Sequence, residues 1–242
     1  MITLAFDSTA KIASCAILKD DEPLAVYHLN NGLTQSELLL PMAQNMLSQL
    51  KMSFDDVNVY ACSAGPGSFT GVRIGVGLIK GLAFGKGLPC IGVSSIEALS
   101  ENLRNLKGFV IPAMDARRGQ FYCGIFHSDG NELVRLSDDM AISGEELAAL
   151  LGERMKEYPT SVVYVVGDGY SGAKRALEKA GITTEQTPEN LILQNAASVG
   201  KIAYRRVSEG IITADTDLKV TYLRLPQAER ERLENLNKSK EV

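Results

Sequence analysis

The segment at residues 63–73, with the sequence SAGPGSFTGVR, has the residue types and spacing that most directly suggest chemistry. A glycine-rich turn between a buried strand and a helix can point several backbone N–H groups at one spot, which suits an anion such as phosphate. The segment is not a P-loop because it lacks the Gly-Lys-Ser/Thr ending, and it has one residue too many for a dinucleotide fingerprint. Glycines chosen only for close packing would give the same pattern, so both interpretations stay open here.

Composition predicts a folded globular protein and argues against several function classes. The chain has 242 residues, of which 45% are hydrophobic and 22% charged, enough for one large domain or two small ones. Its formal net charge of -4 excludes a globally basic surface for nucleic acid. The first residues are typical of a strand rather than a signal peptide, and no apolar run approaches the ~20 residues that span a bilayer. We therefore expect a cytoplasmic protein that does not contact a membrane.

Cysteines and histidines do not suggest a metal or catalytic site. The four cysteines lie singly in apolar runs with no Cys-x-x-Cys pair, so we expect buried thiols. The two histidines, His28 and His127, are about a hundred residues apart and lack a partner motif. The sequence therefore predicts no metal ligands and no catalytic residue of its own.

The order of elements repeats along the chain. A strand ending in Asp7 is followed eight residues later by Cys15-Ala16-Ile17, and a strand ending in Asp115 is followed at the same interval by Cys123-Gly124-Ile125. This pattern predicts two hairpins of one length. The strand, glycine turn and helix of the first half also have counterparts around Gly167-Asp168-Gly169. Chance rarely duplicates both a hairpin and a distant loop, so we predict a duplicated fold.

The repeat predicts two domains, residues 1–104 and 105–242. The second ends in a late helix at 195–207 and a charged tail, both of which could pack back on the first domain. Arg205-Arg206 and the basic residues of the tail could add a minor contact to RNA.

Two α/β halves that each begin with an aspartate-bearing hairpin resemble the actin-like ATPase (ASKHA) fold, with mixed sheets flanked by helices. In that fold the cleft between the halves binds nucleotide. The resemblance implies no required cofactor for this chain and room for weak ATP or ADP binding. The residues implied for such binding are Asp7, Gly65, Gly67, Ser68, Thr70 and Gly71.

Three motifs narrow the resemblance to one family. The glycine segment, residues 112–118 (PAMDARR) and Tyr222-Leu223-Arg224 are similar to the motifs of the bacterial tRNA threonylcarbamoyladenosine biosynthesis family TsaB, also called YeaZ. The resemblance covers essentially the whole chain. It implies a non-catalytic scaffold or activator that works with TsaD and the ATPase TsaE. TsaD transfers threonylcarbamoyl to the adenosine beside the tRNA anticodon, so this chain would meet tRNA only through the complex.

Two departures from related sequences bear on function. TsaD carries a metal-binding His-x-x-x-His, and the comparable positions here are Ser95 and Leu99. Leucine cannot ligate a metal and serine is a poor ligand, which argues against independent transferase activity. TsaB relatives often have His-Ser before the first long helix, where this chain has Gln35-Ser36, and we expect Thr34 or Ser36 to cap the helix.

The resemblance also implies a docking surface on the helices at 36–51 and 72–84. This surface would bind a TsaD-like partner, and in isolation it would form a homodimer. Arg73, which opens the second helix, would add a polar contact at the rim. The apolar candidates are Leu39, Met42, Met46, Ile74 and Leu78.

Two other function classes remain as alternatives. The first is a nucleotide-dependent phosphotransferase or ATPase that uses Asp7, Asp115 and the glycine turn, although the two hairpin turns are chemically unlike. The second is a direct tRNA-binding module, which the acidic charge and the lack of tryptophan disfavour.

Overall fold

A five-stranded sheet forms the core of the first half of the chain. The structure is a computed structural model, and it describes residues 1–159 and 161–224. The strand order is β3-β2-β1-β4-β5, with β1 antiparallel to β2 and parallel to β4. The strands are β1 (Ile2–Asp7), β2 (Ala13–Lys19), β3 (Glu22–Leu29), β4 (Val59–Ser63) and β5 (Cys90–Val93).

Three helices belong to this half: α1 (Gln35–Gln49), α2 (Phe69–Ala83) and α3 (Ser95–Glu101). Helices α1 and α2 cover one face of the sheet, where their apolar residues share a core with β1, β2 and β4. Strands β1 and β4 are buried along almost their whole length. Continuous apolar runs of this kind are typical of central strands covered on both faces.

The second half is built on the strands β6 (Gly108–Asp115), β7 (Gln120–Cys123), β8 (Phe126–Ser128), β9 (Leu133–Arg135), β10 (Met140–Ser143) and β11 (Val163–Val166). Helices α4 (Gly144–Met155) and α5 (Tyr170–Lys179) pack on this sheet through the core that contains Phe109, Leu147 and Leu177. A short 3₁₀ turn at Glu189–Leu191 and the helix α6 (Ala196–Ser208) follow.

The strand registers confirm the duplication. Strands β7 and β8 both pair antiparallel with β6 in one continuous register, Ala113 facing Cys123 and Val110 facing Phe126, so they form one strand interrupted at residues 124–125. Strands β10 and β9 lie on the outer side of β7 and β8, and β11 pairs parallel with β6. The order β3-β2-β1-β4 of the first half therefore has a counterpart in the second half. There β9 and β10 take the place of β3, β7 and β8 that of β2, β6 that of β1, and β11 that of β4. This is the actin-like fold, and the predicted fold class is confirmed.

The prediction that the two hairpins have one length is wrong by one residue. Asp7 faces Ser14, seven positions later, whereas Asp115 faces Phe121, six positions later. The second turn closes more tightly because Arg117, Arg118 and Gly119 all take positive φ angles. The matching cysteine spacing therefore does not reflect matching registers.

Helix α6 lies on the free face of the first sheet, although it belongs to the second half of the sequence. Its small residues, among them Ala196, Ala197 and Ala203, pack against β1, β2, β4 and β5. A side chain at Gly200 would overlap with Leu18, so the helix approaches the sheet closely only with glycine there. The domain boundary near residue 104 stays a prediction, and the tail at residues 225–242 lies outside the described residues.

Ion pairs join α6 to α3. The Glu101 carboxylate accepts hydrogen bonds from Arg205 Nη1 at 2.9 Å and Nη2 at 2.7 Å, and from Arg104 Nε at 3.0 Å. Arg206 Nη2 contacts Glu97 Oε2 at 2.6 Å, and Arg206 Nη1 donates to the Gly92 carbonyl. Both arginines are therefore engaged within the chain, which weakens the expectation that they help to bind RNA.

None of the helices among the described residues is both long enough and apolar enough to cross a lipid bilayer.

Replacing Glu101 with alanine should lower the free energy of unfolding by about 2 kcal/mol. The carboxylate side chain is only 5% exposed, and its loss removes the charged partner of Arg104 and Arg205 in a partly buried place. Urea denaturation followed by circular dichroism measures the change. Glu153→Ala is the matched control, because its pair with Lys156 is about 70% exposed and should contribute less than ~0.5 kcal/mol. Equal effects of the two substitutions would contradict this account.

Candidate functional site

A cleft of about 480 Å³ lies between the two halves. The glycine turn and the first hairpin turn form one side, and the second hairpin turn with Asp168 forms the other. The segment at residues 221–224 also lines it. The lining side chains that could contact a ligand are Thr9, Lys11, Ser68, Thr70, Asp115, Arg117, Tyr122, Asp168, Tyr222 and Arg224.

The glycines of the turn each face another part of the chain at close range. A Cβ on Gly71 would overlap with the Ser8 carbonyl oxygen, and a Cβ on Gly67 would lie 2.6 Å from the Thr9 carbonyl oxygen. A Cβ on Gly65 would overlap with the Thr221 carbonyl oxygen. Close packing therefore accounts for all three glycines, which favours the packing interpretation over a dedicated phosphate loop.

Backbone hydrogen bonds already use part of the turn. The Ala64 N–H donates to the Val93 carbonyl at 2.8 Å, and the Ser68 N–H donates to the Thr9 carbonyl at 2.7 Å. Ser68 also caps α2, since its hydroxyl accepts a hydrogen bond from the Gly71 N–H. Ser68 and Thr70 remain at the cleft wall, so a nucleotide contact through them stays a prediction.

Asp7 points into the protein, and it is not among the residues that line the cleft. Its side chain is 1% exposed and accepts hydrogen bonds from Ser63 Oγ at 2.5 Å and from Thr9 N and Oγ1 at 3.0 and 2.7 Å. Burial raises the pKa of Asp7, while the hydrogen bonds from Ser63 and Thr9 act in the opposite direction. Asp7 therefore holds the first hairpin turn against β4, and a ligand in the cleft does not reach its carboxylate.

The second half supplies a carboxylate that sequence reasoning missed as a site residue. Asp168 Oδ1 accepts a hydrogen bond from the Asp115 N–H at 3.3 Å, and Asp115 Oδ1 accepts one from the Arg117 N–H at 2.7 Å. Desolvation raises the pKa of Asp168 although part of the residue stays accessible, and the negative charge of Asp115 adds to the rise. The signal that could have identified Asp168 is the Gly-Asp-Gly turn, the second-half counterpart of the glycine turn.

Gln35 supports the first hairpin turn from α1. Its Nε2 donates to the Ala10 carbonyl at 3.0 Å, beside the cleft. Thr34 is the N-cap of α1, and the Glu37 carboxylate accepts hydrogen bonds from its N–H and hydroxyl. Of the two expected caps, Thr34 rather than Ser36 therefore begins the helix.

Ser95 and Leu99, which the resemblance equates with a pair of metal-binding histidines, do not suit a metal in this chain. Ser95 is fully buried on α3, and its hydroxyl has no hydrogen-bond partner within the described residues. Leu99, one helical turn later, packs in an apolar cluster with Met114 and Val166 that joins the two halves. The residues that the structure describes contain no group of three or more histidine, cysteine, aspartate or glutamate side chains placed to hold an ion.

The structure corrects half of the predicted docking surface. Leu39, Met42 and Met46 are 1%, 4% and 1% exposed, because the wide apolar face of α1 packs against the sheet and against α2. These three side chains belong to the core and cannot contact a partner in this structure. Ile74 and Leu78 are only partly buried, and Arg73 is exposed.

Helix α2 presents an open face to solvent. Gly77 and Gly81, one turn apart, have no atom within 4 Å of the position that a Cβ would occupy. Ile74, Leu78 and Leu82 are partly exposed on the same helix, and Phe84 at its end is 81% exposed. Helix α2 contains no aspartate or glutamate. The open face of α2 thus combines apolar and small residues with the cation of Arg73.

Comparisons with known proteins agree on one family. A family model described as TsaD, tRNA N6-adenosine threonylcarbamoyltransferase, matches residues 34–229. The chain is 31% identical to the tRNA threonylcarbamoyladenosine biosynthesis protein TsaB of Escherichia coli (strain K12), over 93% of this chain and 95% of that protein. It is 33% identical to TsaB of Bacillus subtilis (strain 168), over 64% of this chain and 67% of that protein.

A solved structure agrees with the fold. YeaZ from Pseudomonas aeruginosa superimposes with a TM-score of 0.74 and 23% sequence identity, covering 92% of this chain and 99% of that one.

Alanine at two glycines of α2 should have opposite effects on stability. Gly71→Ala should cost about 3 kcal/mol or more, because the added methyl group overlaps with the Ser8 backbone. Gly77→Ala should stabilise by up to ~1 kcal/mol, because it improves helix propensity and meets no neighbour. Chemical denaturation of both variants measures the difference, and a Gly71→Ala protein as stable as the parent would refute the packing role.

Proposed function

Since the chain belongs to the TsaB family of tRNA threonylcarbamoyladenosine biosynthesis proteins, we propose that it is the non-catalytic scaffold and activator subunit of the complex that makes this modification. The observation that carries the proposal is the 31% identity to TsaB of Escherichia coli along 93% of this chain. The modification is the transfer of a threonylcarbamoyl group to the adenosine next to the tRNA anticodon. This role places the protein in the cytoplasm.

A TsaD-like partner carries the chemistry in this proposal. The family model that matches most of the chain is that of the transferase TsaD, which supports a common fold for this chain and the transferase. By the resemblance, Ser95 and Leu99 take the places of the transferase's metal-binding histidines, and both are buried in this chain. The chain therefore activates the transferase by docking, and tRNA contacts it only through the complex.

The open face of α2 is the docking surface. Its partly exposed apolar residues, Ile74, Leu78 and Leu82, flank the small residues Gly77 and Gly81, which allow another helix to approach closely. In the absence of the partner, the same face pairs with a second copy to form a homodimer. A TsaE-like ATPase completes the active assembly.

A nucleotide-dependent phosphotransferase is the second candidate, and the cleft with Lys11, Asp115 and Asp168 is the observation that favours it. The burial of Asp7 weighs against it, because a contact of Asp7 with a metal ion or a ligand at the first turn would need its carboxylate in the cleft. We propose no required cofactor, and at most weak binding of ATP or ADP.

Reconstitution tests the proposed role. The chain, its TsaD-like and TsaE-like partners, a tRNA substrate and a threonylcarbamoyl donor are combined, and nucleoside mass spectrometry measures the modified adenosine. We expect sustained modification only when all three proteins are present, and none from this chain alone. Modification by the isolated chain, or no loss of modification when the chain is omitted, would contradict the proposal.

Adding a charge to the open face of α2 tests the docking surface. Gly77→Glu places a bulky carboxylate on this face without disturbing the core, because nothing lies within 4 Å of its Cβ position. Its affinity for the TsaD-like partner should fall at least ~100-fold, or about 2.7 kcal/mol, as measured by titration calorimetry.

Gly152→Glu is the matched control, because Gly152 is likewise an open helical glycine, on α4 in the other half of the chain. This variant should bind within about twofold of the parent. Unchanged binding by Gly77→Glu would remove α2 from the docking surface.

A further inference from the structure

The segment at residues 213–224 runs from the edge of the first sheet across the glycine turn to the second half. The Cys90 N–H donates to the Thr213 carbonyl at 2.9 Å, and Leu218 is 4% exposed in the core against Gly92. The Thr221 N–H then donates to the Ala64 carbonyl at 2.8 Å. The chain is thereby fixed to the turn at the place where Gly65 leaves room for the Thr221 carbonyl.

The end of this segment forms one wall of the cleft and bridges its two sides. Residues 221–224 all line the cleft. Arg224 Nη1 donates to the Ala116 carbonyl, in the second hairpin turn, at 2.9 Å. The segment lies against the glycine turn at one end and against the second hairpin turn at the other, so residues 221–224 have the position of a lid over part of the cleft.

The lid is held to α2 through Tyr222. The Tyr222 ring stacks on Phe69 with 5.1 Å between the ring centroids. The Arg73 guanidinium lies 3.8 Å from the Phe69 centroid, and its Nε donates to the Tyr222 hydroxyl at 2.7 Å. The stacking, the cation–π contact and the hydrogen bond together make a latch of three side chains.

Arg73 belongs both to this latch and to the open face of α2. Within the described residues, Nε is the only guanidinium nitrogen of Arg73 with a hydrogen bond, so the two Nη groups are available to a partner. A carboxylate can bind a guanidinium side-on, with two parallel hydrogen bonds from Nε and one Nη. That geometry competes directly with the Tyr222 hydroxyl for Nε. Because α2 carries no acidic residue, a partner with a carboxylate at this point is complementary in charge.

We propose that residues 221–224 are a lid latched by Tyr222, and that a carboxylate of the docking TsaD-like partner takes Arg73 and releases the lid from the glycine turn. The coupling to docking rests on the proposed function, whereas the latch itself does not. Partner binding on α2 thereby widens the cleft, because in the free chain the C-terminal segment forms one of its walls.

Hydrogen exchange at the Thr221 amide reports on the lid, because this amide donates to Ala64 across the contact. In the free chain, Tyr222→Ala and Arg73→Ala should accelerate this exchange at least tenfold, and Tyr222→Phe, which keeps the ring, should accelerate it less. Lys80→Ala removes another cation of α2 and should leave it unchanged. The Tyr60 amide, which donates to Pro89 inside the sheet, serves as the control for folding.

Unchanged Thr221 exchange in both Tyr222→Ala and Arg73→Ala would overturn the latch. Addition of the TsaD-like partner tests the coupling. The Thr221 amide of the parent should exchange at least tenfold faster in the complex, and Tyr222→Ala should show no further gain. If calorimetry confirms that the partner binds, but the Thr221 amide exchanges no faster in the complex than in the free chain, the coupling is overturned. If the partner fails to bind, the proposed function and the coupling both fall, and the free-chain result still decides the latch.

Discussion

Backbone packed directly on backbone at the glycine turn is the contact on which the arrangement of the cleft depends. Gly67 and Gly71 allow the first hairpin turn to lie against the start of α2, and Gly65 allows the C-terminal segment to cross the same turn. A Cβ at any of these positions would push apart two elements that are distant in sequence. Because these three residues are glycines, α2, the first hairpin turn and the C-terminal segment can pack against one another in this arrangement.

The same turn shows how far sequence reasoning reaches. A strand, a glycine turn and a helix could be predicted, because apolar runs and glycine clusters are local signals. The choice between phosphate binding and packing could not, because glycine serves both roles and only the neighbouring backbone distinguishes them. Asp7 illustrates the same limit. Its position at a hairpin turn was predicted correctly, but the direction of its side chain depends on a hydrogen bond from Ser63, 56 positions away.

Amphipathic pattern likewise predicted α1 but not its surroundings. The apolar face of the helix is wide, and part of such a face can contact either a partner or another element of the same protein. Here the sheet and α2 together cover it, so Leu39, Met42 and Met46 are internal. The contact between Arg73 and Tyr222 spans 149 positions and has no periodic or motif signal, so it appears only in the folded chain.

The region around Leu99 shows how the two halves of the fold are held together by burial of apolar side chains. In this chain an apolar cluster of Leu99, Met114 and Val166 joins the two halves. Such a cluster holds the halves by burial and requires no ion, whereas a metal site needs polar ligands that are costly to bury when empty. One wall of the cleft is formed by the chain's own C-terminal segment. Through the contact of Tyr222 with Arg73, this segment connects the cleft to the surface of α2.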